Sequence, residues 1–193
     1  MERLPMVPKA PQEAVIKALF DEIHAARGSG FEMPNLYRVL GNSPPMLKAW
    51  VDFAWSLRLH ARTSRKIREL LILRGAQISG IAYEWAHHAS MALEAGVTQI
   101  QIDALADWAD SDQFDPRERA VLQLAEEIAR GPSASESAIT QLKDQAFDGA
   151  EIVELVLTAS FYVCVGRFLK SMDIQLEPKF ATHQIVIPGS TLA

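Results

Sequence analysis

Apolar residues recur at spacings of three and four along most of the chain, and no strong strand pattern appears before the tail that begins at residue 173. Ala14, Ile16, Ala18, Leu19, Phe20 and Ile23 give a first stripe, predicting a helix over 11–27 that Gly28 and Gly30 stop. A short helix over 35–40 breaks at Gly41-Asn42. Ser43 as cap, with Pro44 and Pro45 in the first turn, opens a helix over 46–60, whose Trp50 and Trp55 suit a core or a subunit interface before a pocket wall. The next segment, 64–77, is apolar on nearly every side through Ile67, Leu70, Leu71, Ile72, Leu73 and Ala76, the pattern of a helix buried all round. Gly80 ends it, and a further helix runs over 83–93 until Gly96. Three acid or amide pairs then mark helix starts: Thr98 with Gln101, Asp115 with Glu118, and Asp148 with Glu151. They predict helices to about 109, 130 and 172, and Ser135 starts a shorter one to about 147. Residues 1–10 read as an extended arm and 173–193 as a tail carrying the β-prone run HQIVIP, suited to packing on a neighbouring subunit. The expectation is an all-α fold in a single domain over 1–193, with about seven or eight helices and a core over 45–172.

Two charges, Glu69 and Arg74, interrupt the most apolar helix. Burying either costs several kcal/mol unless it is paired or hydrogen-bonded. At ~1.5 Å per residue, Glu69 lies about 16 Å back from the turn at Gly80 and His88 about 12 Å beyond it. An antiparallel hairpin therefore brings the two to comparable depth.

The stretches RELLILRGA, YEWAHH and ALEAGVTQIQIDAL, followed by DPRERAVLQLAEEIA and EIVELVLTASFYVCVGRFLKSM, resemble the carboxymuconolactone decarboxylase and D-type alkylhydroperoxidase superfamily. The peroxidases of that superfamily carry a glutamate, a C-x-x-C pair and a histidine at fixed spacing. Laid on this chain without a gap, the glutamate falls on Glu69 and the histidine on His88, while the two thiol positions fall on Ile81 and Glu84. The wording Y-E-W-x-x-H is similar to a cysteine-free branch. The resemblance implies a helical bundle of the alkylhydroperoxidase D type, a homo-oligomer (trimer or dimer-built hexamer), and a proton relay through Glu69 and His88.

Composition narrows the chemistry. A net charge of −5 with scattered basic residues offers no footprint for nucleic acid and no polybasic membrane patch. No uninterrupted apolar run reaches the roughly 18 residues of a spanning helix, so a cytoplasmic protein with no membrane partner is expected. The single cysteine, Cys164, lies in an apolar run and reads as a small buried side chain. Phosphate loops, H-E-x-x-H pairs and zinc-spaced cysteines are missing, so neither metal nor cofactor is expected.

His88 is the candidate general acid or base, or else a hydrogen-bonded core histidine. Glu69 either orients His88 or pairs with Arg68 or Arg74 to hold helices together. Glu84 shares a face with His88 and stands at a former thiol position, as a catalytic carboxylate or as a solvated surface residue. Tyr83 and Trp85 are candidates for a pocket wall or for core, and Arg74 for a substrate-carboxylate anchor or a structural ion pair. His87, about 100° round the helix from His88, reads as outside the same site. Together these residues point to an enzyme acting on a small organic acid or lactone by proton transfer, with decarboxylation as one outcome. The alternatives are a peroxidase-related antioxidant protein, which needs a reactive thiol, and a non-catalytic binding protein on the same scaffold.

Overall fold

The computed structural model describes residues 3–28 and 31–181. Its order is α1 (Ala14–Arg27), α2 (Asn35–Leu40), α3 (Pro44–Leu59), α4 (Arg65–Ser79), α5 (Ala82–Glu94), α6 (Gln99–Ala104), a 3-10 turn (Leu105–Asp107), α7 (Pro116–Arg130), α8 (Glu136–Asp144), α9 (Gly149–Met172) and α10 (Pro178–Ala181). Among the described residues there is no strand, as the helical periodicity requires. Of the ten α-helices among the described residues only α10, four residues long, falls where none was expected, and α2 and α6 are short at six residues each. The HQIVIP run lies outside the described residues.

Local chemistry sets the boundaries. All three acid or amide pairs form reciprocal capping boxes, at Thr98 with Gln101, Asp115 with Glu118 and Asp148 with Glu151. Gly80 takes the left-handed conformation, φ 59°, and its N–H reaches back to the last turn of α4. Ser43 departs from expectation: its side chain makes no capping bond, and Pro44 alone sets the start of α3. The helix foreseen to 109 stops at Ala104 and tightens into the 3-10 turn.

Helix α4 is the axis of the bundle and packs against α5, α7 and α9. Its Leu70 and Leu73 are fully buried in a cluster with Trp85, Leu105 and Trp108, while Leu71 and Ile72 join Val121, Leu124 and Leu155 on another side. A third cluster ties α1 and α2 to Leu47, Val51, Ile81, Val165 and Leu169. At the crossing of α9 over the start of α5, a Cβ on Gly166 would lie 3.0 Å from Ile81 Cγ1. Glycine there lets α9 close directly over Glu84.

Helix α9 departs from expectation in one respect. It is apolar on every side, long and apolar enough to cross a membrane by length and composition, but only a third of its most apolar window is buried in the fold. Val153, Leu157 and Cys164 stand on its outward stripe, so Cys164 is exposed rather than buried. All-round apolarity carries no signal of which side faces the body.

Candidate functional site

Glu69 projects from the middle of α4 and His88 from the middle of α5, and the turn at Gly80 folds them together. His88 Nδ1 stands 2.7 Å from Glu69 Oε2, with the glutamate fully buried. The other carboxylate oxygen forms an ion pair with Arg65, one turn earlier on α4. Arg68 is not its partner; that guanidinium donates to Thr63 and to the carbonyl of Arg58. Burial alone would raise the Glu69 pKa, but attraction and hydrogen bonding from His88, with Arg65 and Arg58 adding to it, hold it below the ordinary range. Burial lowers the His88 pKa, and Glu69 offsets this only in part. A neutral His88 therefore donates Nδ1–H to an ionised Glu69. Its Nε2 accepts no hydrogen bond from the described residues and keeps a basic lone pair. The Tyr162 ring of α9 meets the imidazole edge-on at 4.8 Å.

Glu84 lies one turn before His88 on the same face. It is 3% exposed, so it is not a solvated surface residue, and its Oε2 has no hydrogen-bond partner. Desolvation pushes its pKa well above the usual carboxylate value. Burial thus favours the neutral carboxylic acid at Glu84, beside an imidazole that leans on a carboxylate. Burial shifts the two in opposite directions, each towards its neutral form, in which an imidazole can accept a proton and a carboxyl can donate one.

Both side chains line a cavity of about 240 Å³ between α3, α5, α9 and the C-terminal segment. Tyr83 also lines it, but its hydroxyl donates to Glu177 Oε1 at 2.5 Å and accepts from the N–H of Leu36. His87 lines the same cavity, contrary to the helical-angle reading, because the walls wrap around α5 on both sides. Its Nε2 donates to Glu177 Oε2 at 2.7 Å, and its ring packs on Phe180. Glu177 also accepts from the backbone N–H of Asn35 at 2.7 Å. Burial would raise the Glu177 pKa, but the bonds from His87, Tyr83 and Asn35 outweigh it and hold the group at about 2.

Two candidates lie elsewhere. Trp85 is 5% exposed within the cluster of Leu70, Leu73 and Trp108, since its position on α5 faces α4 rather than the cavity. Arg74 sits on the far side of α4, donating to Glu126 Oε2 at 2.7 Å, Gln77 Oε1 at 2.6 Å and the carbonyl of Leu105 at 3.0 Å. It borders an open depression of about 900 Å³ with Trp108 and Arg130, where its charge is already matched. It is therefore no anchor for a ligand beside His88. Arg58, Tyr162 and Glu177 are cavity or latch residues that the sequence reading did not single out. Only Arg58 had a usable signal, a cation on the stripe of Trp50 and Ala54. No group of three metal-ligating side chains occurs among the described residues.

Residues 44–127 match the model of the carboxymuconolactone decarboxylase family, and the fold is that of the alkylhydroperoxidase D-like structures described next. Over that segment, somewhat under half of its length, the chain is similar to the carboxymuconolactone decarboxylase family. Among its relatives, the uncharacterized protein YdfG of Bacillus subtilis (strain 168) is 32% identical over 96 residues. That match takes in 49% of this chain and 65% of YdfG, just under two thirds of its length. An uncharacterized peroxidase-related protein from Silicibacter sp. TM1040 superposes with a TM-score of 0.75 at 19% identity, covering 92% of each chain. A peroxidase-related protein with the alkylhydroperoxidase AhpD core, from Ralstonia eutropha JMP134, gives 0.75 at 18% identity over 96% of this chain and 97% of its own. The debrominase Bmp8, in complex with 2,3,4-tribromopyrrole, gives 0.72 at 18% identity over 94% and 97%. At such identities these structures establish a shared fold and nothing further. The only cysteine of the chain, Cys164, is outside the cavity wall.

Proposed function

We propose that this protein is an enzyme acting on a small organic acid or lactone by general acid/base chemistry. The carrying observation is the 2.7 Å bond between His88 Nδ1 and Glu69, beside the unpartnered carboxyl of Glu84 at one cavity. His88 Nε2 takes a proton from substrate carbon, and Glu84 delivers one to the carbon where the electron pair arrives. Transfer from the imidazolium to the Glu84 carboxylate then resets the pair. Where decarboxylation is the outcome, the C–C bond breaks with release of carbon dioxide, its electrons pass into the conjugated substrate, Glu84 protonates the carbon, and the Glu84 carboxylate regains its proton from solvent. In this reading Glu84 takes the acid role and His88 the base role, supported by burial that favours the neutral form of each. The redox alternative is disfavoured because a thiol peroxidase needs an activated thiolate at its reacting centre.

Purified protein incubated with carboxymuconolactone and related lactones should consume at least one of them. In D₂O it should place deuterium on carbon, read by NMR. No turnover and no exchange with the whole panel would remove the catalytic reading.

The protein is further proposed to work in the cytoplasm as a homo-oligomer. Exposed Phe53 of α3 and Val153 and Leu157 of α9 support this, because apolar side chains standing on an outward stripe suit burial against another copy. Light scattering at micromolar concentration should give a multiple of 21.4 kDa; the mass of one chain would refute the assembly.

A further inference from the structure

The cavity has two facing tracks. On α3, Trp50, Ala54 and Arg58 follow one another at four-residue steps, so an indole, a small residue and a cation lie in a line spanning about 12 Å. On α5, Glu84, His88 and Met91 form the opposite line. The tracks meet at one end, where Arg58 Nη2 reaches Met91 Sδ at 2.7 Å. At the other end Trp50 packs against Phe161 at 5.0 Å, and Phe53 supports Phe161 edge-on at 5.1 Å. Trp55 lines the cavity as well, and Ala54 leaves a slot between the rings and the guanidinium.

From this layout we infer that the ligand is a flat aromatic or conjugated carboxylate, its carboxylate at Arg58 and its ring between Trp50, Trp55 and Phe161. The inference rests on the acid/base reading only for the position of the reacting carbon, which falls over Ala54 opposite His88 and Glu84. Charge favours it. Of the two glutamates on the cavity wall, burial favours the neutral form of Glu84 and Glu32 is ion-paired with Lys9, while Arg58, which also attracts the ionised Glu69, and Lys179 are the cations lining it. The field of Arg58 already reaches the catalytic pair, helping to lower the pKa of both Glu69 and His88. Size agrees. A cavity of about 150 Å³ accepts benzene, so one of about 240 Å³ has room for a ring with a short carboxylate-bearing chain. Arginine suits this role because its planar fork matches a carboxylate in two places.

The test is a binding titration with phenylacetate and its neutral isostere phenylacetamide, read by tryptophan fluorescence, since Trp50 and Trp55 line the cavity. Wild-type protein should bind phenylacetate about 10- to 100-fold more tightly than the amide, the span of one charge-assisted contact. Arg58→Gln should bring the two within about twofold, and Arg58→Lys should restore part of the preference. Equal binding of acid and amide by wild-type protein, or no binding of either, would overturn the inference without any variant. So would a preference that survives Arg58→Gln in protein with an unchanged circular dichroism spectrum. Because binding is read without turnover, the two readings separate. A protein that prefers phenylacetate but turns over none of the lactones defeats only the catalytic proposal, and one that turns them over without that preference defeats only this one.

Discussion

His88→Ala is expected to lower kcat by about 10²- to 10⁴-fold, the usual contribution of a positioned general base, while Glu69→Gln lowers it less and shifts the pH profile. The base acts only when neutral. Activity should therefore rise with pH through a His88 pKa that burial has placed below the ordinary 6.5. The acid acts only when protonated, so activity should fall at higher pH, as Glu84 ionises above its ordinary 4.5. The maximum should fall where both groups hold the form their burial favours. In Glu69→Gln the carboxylate that raises the His88 pKa is gone, and the rising limb should move to lower pH. That movement separates a positioning role from a structural one. If the pair only holds α4 to α5, both variants will lower the melting temperature and leave the limb in place on whatever activity remains.

Glu84→Met should abolish turnover and raise stability together. The side chain is buried, and its Oε2 has no partner in a site closed by α9 at Gly166. An unsatisfied buried polar atom costs about 1–3 kcal/mol, and an apolar replacement of similar shape relieves it. In a chain of this length each kcal/mol corresponds to ~2–4 °C. The pH dependence has a definite sign. Because burial raises the folded-state pKa above 4.5, the folded form binds the extra proton, and wild-type stability declines as pH rises from 4.5 towards that higher value. Calorimetry across this window should find that decline removed in Glu84→Met. A variant that melts below wild type throughout would mean that the carboxyl is structural.

The hairpin was legible because everything that builds it is local. A rise per residue, a glycine at the turn and two near-equal distances place Glu69 opposite His88, now seen hydrogen-bonded. The helix starts at Thr98, Asp115 and Asp148 were legible for the same reason, each cap and its partner being three residues apart. Failures came where the decisive neighbour is remote. Arg74 and Glu69 share one apolar helix, and only the positions of α7 and α5 decide which faces Glu126 and which faces His88. His87 and His88 differ by one residue, yet a cavity that wraps around α5 receives both. Trp85 and Cys164 sit on helices with apolar residues on several sides, so their burial follows from packing rather than from pattern.

Glu177 also imposes an order of assembly. Its three bonds close loops of 142, 94 and 90 residues, to Asn35, Tyr83 and His87. Pairings so distant along the chain pay their closure entropy before any contact rewards it, whereas the α4–α5 hairpin needs only its own turn. Helical content and the relay can thus be complete while one wall of the cavity is still missing. A folding chain can therefore pair Glu69 with His88 before the cavity beside them is walled, and that wall closes only when the segment around Glu177 docks on Asn35, Tyr83 and His87.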